Sequence, residues 1–132
     1  MPEDQTLSTE HTPDATPFLE PGSATMDDFE RLDLRVGRII SARPLEGAHK
    51  PAYQLEIDFG PGGRKHSSAQ LTTSYPDPRQ LIGRLVVAVV NFPSRRVAGF
   101  RSEVLVLGAL APGGAVPLLS PDAGAEPGQR IG

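Results

Sequence analysis

At 132 residues the chain has room for one domain built around one core. It has no cysteine, so disulfide scaffolding and thiolate chemistry are excluded and a metal site would need His and carboxylates alone. The net charge of −3 hides an asymmetry, because residues 1–25 carry Glu3, Asp4, Glu10, Asp14 and Glu20 with no Lys or Arg (−5), whereas residues 26–132 carry all 13 basic and 11 acidic side chains (+2).

No window reaches the roughly 18–20 consecutive apolar residues of a membrane-spanning helix, and the N-terminus lacks the basic-then-apolar order of a signal peptide. A cytoplasmic protein without membrane insertion is the expectation. Gly 14 and Pro 14 with 5% aromatics suit short strands and frequent turns better than a helical bundle.

Residues 1–25 lack periodicity and are rich in Thr, Pro, Ser, Asp and Glu, so they bury too little apolar surface to offset the entropy of ordering. They read as a disordered acidic tail or as a misassigned start ahead of Met26; a third reading is an acidic arm that screens basic groups elsewhere. Thr25 followed by Asp28 is a capping arrangement, and Asp27, Asp28 and Glu30 place negative charge where a helix N-terminus favours it. Phe29 and Leu32 then share a face, which predicts a short helix over 26–32.

The first strand is expected over 34–43, with a bulge or bend at Gly37 where alternation is disturbed. Residues 44–51 form a loop carrying His49 and Lys50. Tyr53, Leu55, Ile57 and Phe59 alternate with Gln54, Glu56 and Asp58, a strand buried on one face. Gly60-Pro61-Gly62-Gly63 makes a turn, so the next segment is an antiparallel partner, with Ser67, Ala69 and Leu71 on one side and Arg64, His66, Ser68 and Gln70 on the other.

Residues 72–82, with Tyr75, two prolines and Leu81, allow a turn and at most a short helix. Residues 84–92 are a nearly unbroken apolar run, the pattern of a strand covered on both faces. Pro93 cannot donate to a ladder and Gly99 permits unusual backbone angles, so the chain is expected to leave the sheet in a loop that carries Arg95, Arg96 and Arg101. Strands over 103–109 and around 116–119 complete the count. Five or so strands with a short N-terminal helix and a short inserted helix describe an all-β, five-stranded barrel of OB-fold type over 26–132.

Two candidate surfaces follow. Arginine donates in a planar fork that matches phosphate, and three arginines within seven residues, beside Asn91 and Ser102, suit nucleic acid; the competing reading is simple solvation. Arg64, Ser68 and Gln70, with His66, lie on the strand face with which such barrels bind, and offer groups for phosphate, ribose and base edges. Aromatic platforms are scarce, which favours shape and backbone recognition of a folded RNA over threading of a single strand. Phe92, Pro93, Val97 and Phe100 form an apolar lip that suits an extended peptide, or else seal the barrel end.

Catalysis finds little support. His66, Ser68 and Asp58 can be drawn as a hydrolytic trio, but there is no nucleophile elbow, no oxyanion-hole loop and no reason for Asp58 to orient His66. With three His in all and no acidic cluster at ligand spacing, neither a metal nor another cofactor is expected.

The stretch Asn91-Phe92-Pro93-x-Arg95-Arg96-x-Ala98-Gly99-Phe100-x-Ser102-Glu103-Val104-Leu105-Val106-Leu107-Gly108 resembles the CsaA-type branch of the tRNA-binding domain family. Ser67-Ser68-Ala69-Gln70-Leu71-Thr72 before it and Leu118-Leu119-Ser120-Pro121-Asp122 after it extend the likeness to about residues 26–132. The resemblance implies an OB-fold that acts by binding: a tRNA partner met by the arginine stretch, and a chaperone role towards unfolded precursor proteins, with the export machinery as a further partner. It also implies a homodimer with Phe29 and Leu32 near the subunit interface, although that helix would equally serve to cap its own barrel. The alternative is a stand-alone tRNA-binding protein with no chaperone activity.

Overall fold

The computed structural model describes residues 16–132. The acidic residues Glu3, Asp4, Glu10 and Asp14, and with them most of the expected tail, lie outside the described residues.

A short α-helix, α1 (Met26–Glu30), the one α-helix among the described residues, opens the domain. Its capping box forms as the residues predict: the Thr25 hydroxyl accepts from the Asp28 N–H at 3.3 Å and the Asp28 carboxylate accepts from the Thr25 N–H at 2.9 Å. Five residues are too few to hold a helix in water, and α1 is held instead by Phe29 and Leu32, which pack with Leu107 and Ile131 against the cluster of Leu34, Val87 and Val89.

Strands β1 (Leu34–Pro44), β2 (Tyr53–Asp58), β3 (Arg64–Ala69), β4 (Leu85–Val89) and β7 (Leu105–Val106) form one antiparallel sheet in the order β3-β2-β1-β4-β7. The sheet curls until its edges meet. The Ser67 hydroxyl donates to Val104 O at 2.9 Å, and His66 O accepts from the N–H groups of Glu103 and Val104 at 2.8 and 3.3 Å. These bonds close a five-stranded barrel, the OB-type architecture expected.

The core explains the apolar run at residues 85–90. Val86 and Ala88 point into the barrel with Ile39, Leu55, Ile57, Phe59 and Leu81, while Val87 and Val89 point outward beneath α1 with Leu34. Both faces of β4 are therefore covered, one by the barrel and one by the helix. The buried Tyr53 phenol donates its one proton to Tyr75 O at 2.7 Å, with Pro76 O at 3.1 Å beside it; burial, then the Asp77 charge, push its pKa above the ordinary tyrosine value.

Several expectations are corrected. The bulge in β1 falls between Ile39 and Ser41, not at Gly37, which stays in register opposite Val86. Gly37 is needed for space: a methyl group there would lie 2.5 Å from Ile57 Cγ2 and 2.8 Å from Phe59 Cε1. The inserted helix is only a 3-10 turn, Pro78–Gln80, capped by Asp77. The strand expected over 103–109 shrinks to β7, because Gly108 and Leu118 meet in a single bridge and the chain leaves the sheet there. Ala109 N–H to Pro117 O and Leu119 N–H to Leu107 O continue that pairing irregularly.

Candidate functional site

The arginine stretch is not a loop. Residues Arg95–Val97 (β5) and Phe100–Ser102 (β6) pair as a two-stranded antiparallel ribbon that lies beside β3, with Arg95 opposite Ser102, Arg96 opposite Arg101 and Val97 opposite Phe100. Ala98 (φ 50°) and Gly99 (φ 81°) both sit in the left-handed region, the geometry that lets a two-residue turn follow the twist of a hairpin. The sequence clue was Ala-Gly between two β-branched or aromatic positions, masked because Ala at a positive φ is uncommon.

Alternation along the ribbon sorts its side chains. Arg96 and Arg101 share one face and are exposed, while Val97, Phe100 and Ser102 share the other with Arg95. Like charges placed directly opposite each other cost of the order of 0.2–1 kcal/mol. Among the described residues no carboxylate lies within salt-bridge distance of Arg95, Arg96 or Arg101 to offset this. Arg96 Nη1 donates to Gly99 O at 2.7 Å, which fixes one guanidinium across the turn and leaves its remaining donors outward.

The ribbon is latched to the barrel at its base. The Ser68 N–H donates to Ser102 Oγ at 3.0 Å, and the His66 N–H donates to Glu103 Oε1 at 2.9 Å. The His66 ring meets Phe100 edge-on, centroids 5.6 Å apart at 85°, and its Nδ1 lies 3.4 Å from Glu103 Oε1. At the other foot, Asn91 Oδ1 accepts from the Asp33 N–H at 2.9 Å while its Nδ2 donates to Arg31 O at 2.8 Å. Asn91 thus staples the ribbon to the end of α1.

The predicted site residues fall into groups. Arg95, Ser68 and Gln70 come together at a groove of about 440 Å³. Phe92, Pro93, Arg95 and Ser102 line a neighbouring cleft of about 230 Å³, with Phe92 45% exposed. Val97 faces the larger groove, and Phe100 is half-buried on His66. Ser102 is buried and occupied in the latch, and the Asn91 amide is engaged at both of its ends. Arg64 stands apart: it is about 13 Å along β3 from Ser68 and lies 3.8 Å from Glu56. Phe29 and Leu32 rest on their own barrel, and beside α1 a hollow of about 480 Å³ is lined by Met26, Phe29, Arg130 and Ile131.

Four contributors were not singled out from sequence. His49 and Lys50 on the β1–β2 loop and Leu105 on β7 line the larger groove, and Glu103 ties the ribbon down. Only the barrel topology brings that loop beside β3 and the ribbon. Among the described residues there is no cluster of three or more His, Cys, Asp or Glu able to hold a metal, and no helix is long and apolar enough to cross a membrane.

Comparison with known proteins places this geometry. Residues 34–130 match the family described as "Putative tRNA binding domain". The chain superposes on the chaperone CsaA of Bacillus anthracis with a TM-score of 0.79 at 50% identity, covering 84% of this chain and 100% of that one. It also superposes on the CsaA chaperone protein of Picrophilus torridus with a TM-score of 0.76 at 49% identity, covering 83% and 99%. Among curated relatives it is 37% identical to the methionine–tRNA ligase of Xanthomonas campestris pv. campestris strain B100 over 116 residues, which are 88% of this chain but only 17% of the ligase.

Proposed function

The chain belongs to the tRNA-binding domain family, in its CsaA-type branch, and on that premise we propose that it binds tRNA through the arginine ribbon and works by binding and not by turnover. The observation that carries this reading is the face bearing Arg96 and Arg101, two guanidinium groups set opposite each other with no carboxylate of the described chain to neutralise them. Phosphate relieves that repulsion, accepts both planar forks and releases counterions. Arg95 adds a third cation at the groove, where Ser68 and Gln70 offer hydroxyl and amide groups to ribose or base. Arg64, 3.8 Å from Glu56 at the far end of β3, would meet RNA only where the backbone runs that far. Ser102 and Asn91 serve by holding the ribbon in place.

The test is a titration of the full chain with total tRNA across a salt series. Replacing Arg96 and Arg101 with Ala is expected to weaken binding and to lower the slope of log affinity against log salt by about one for each phosphate no longer engaged. Unchanged affinity with an unchanged slope would falsify the assignment.

A second reading, a chaperone for exported precursor proteins, is favoured by one observation: Phe92, Pro93 and Arg95 line an open cleft, on a chain 50% and 49% identical to the two CsaA chaperones where they align. Such a cleft holds an apolar side chain of an extended peptide beside a cation. The discriminating measurement is light scattering from an aggregating unfolded precursor after nuclease treatment; suppression that disappears with the RNA removes this reading. Under either reading a cytoplasmic homodimer is proposed, with Phe29 and Leu32 near the interface and Met26, 67% exposed, available for a second copy to cover. Two ribbons on one dimer would grip one folded RNA with raised effective concentration.

A further inference from the structure

The groove between the β1–β2 loop, β3 and the ribbon differs in its charge from four other hollows of the described residues. The hollow beside α1 contains Glu30, the one under Phe59 contains Asp33, the one beside Phe92 contains Glu103, and the small one beside His66 contains Glu56. The groove contains Lys50 and Arg95, with His49, and no carboxylate. Its occupant therefore carries negative charge.

Its floor, however, is aliphatic. Val97, Leu105, Val106 and Val116 line it, and Leu105 is 44% exposed, an uncovered apolar surface in the middle of a cationic rim. Gln70 at the edge makes no hydrogen bond to another described residue, so its amide is free to both donate and accept. An anionic group, a flat apolar body and a polar edge that pairs with an amide are together the chemistry of a nucleotide. The volume of about 440 Å³ lies low in the roughly 300–1,000 Å³ range of small-ligand clefts, room for one such unit and not for a duplex.

We propose that this groove is a slot for a single unpaired nucleotide of a bound RNA: phosphate between Lys50 and Arg95, base laid on Leu105 and Val106, and base edge read by Gln70. The inference rests on the RNA-binding reading above and deepens it. A paired base hides its apolar faces in the stack and its pairing edge in the partner strand; only an extruded one offers both. The ribbon would then hold the backbone of a folded RNA while the groove tests for a base outside the helix, a division between positioning and reading contacts.

The experiment compares two fluorescently labelled hairpin RNAs, identical except that one carries a single-nucleotide bulge, titrated against the full chain at fixed salt with total tRNA as a reference. The bulged hairpin is expected to bind about tenfold more tightly, the scale of burying part of one base face on aliphatic side chains. Leu105→Asp, a change at an exposed position checked for folding by circular dichroism, is expected to bring the bulged hairpin down to the affinity of the paired one. Gln70→Ala is expected to flatten the dependence on which base is bulged. Equal affinity of the wild-type chain for both hairpins, while total tRNA binds well, overturns the slot and leaves the RNA-binding reading standing. An equal drop in affinity for both hairpins on Leu105→Asp also overturns it, as does displacement of the bulged hairpin by poly-glutamate without any effect on the paired one. Failure of all three RNAs to bind overturns the RNA-binding reading, and the slot with it.

Discussion

Gly37 shows how a single position is set by what lies across from it. With Ile57 Cγ2 2.5 Å from where its methyl would be, Gly37→Ala forces the core apart, and overpacking of this kind costs about 1–3 kcal/mol. A urea melt should show a lower midpoint with an unchanged slope. Ala98 and Gly99 make the opposite case, because nothing crowds Gly99 and only backbone geometry matters. Ala98→Gly should be neutral or stabilising, since it removes a left-handed strain of about 1–2 kcal/mol, whereas Gly99→Ala should cost a similar amount and weaken RNA binding. Melting temperatures of the two variants, moving in opposite directions, check the turn. The sequence made Gly37 conspicuous but misassigned its purpose, since disturbed alternation cannot distinguish a bulge from close packing of a distant side chain.

Elements were legible where their surroundings were simple. The alternation of Tyr53, Leu55, Ile57 and Phe59 and the Gly-rich turn after it specified the β2–β3 hairpin, and the apolar run of β4 announced burial on both faces. The ribbon was not legible, because its pairing is set by a turn with Ala at positive φ and by the latch through Ser68, Ser102, His66 and Glu103, residues remote in sequence. The inserted helix, expected to be short at most, is a single 3-10 turn capped by Asp77. That cap yields a pH signature. Hydrogen bonds from the Arg79 side chain and then its backbone hold the Asp77 carboxyl below the usual carboxylate range. A depressed folded-state pKa contributes stability above the unfolded value of about 3.9, which disappears as pH falls through the lower folded value. Asp77→Asn should therefore lower the melting temperature at neutral pH, and the difference from wild type should shrink as pH falls through the lowered Asp77 value.

At the scale of the whole molecule, fold and function were readable to different depths. Barrel class and the cationic segment came from pattern and motif, but the meeting of the β1–β2 loop with β3, β7 and the ribbon is a property of closure that no local window contains. Closure itself depends on few bonds. The edges of the sheet are joined through His66, Ser67, Glu103 and Val104, and two of these residues also anchor the ribbon. Unzipping the barrel and releasing its arginines are thus one event. The amides of His66, Ser68 and Glu103 should exchange with deuterium together, ahead of those of β1 and β4, and bound tRNA should slow all three by a common factor. A ligand that grips the ribbon would in this way act as the clasp on the cylinder behind it.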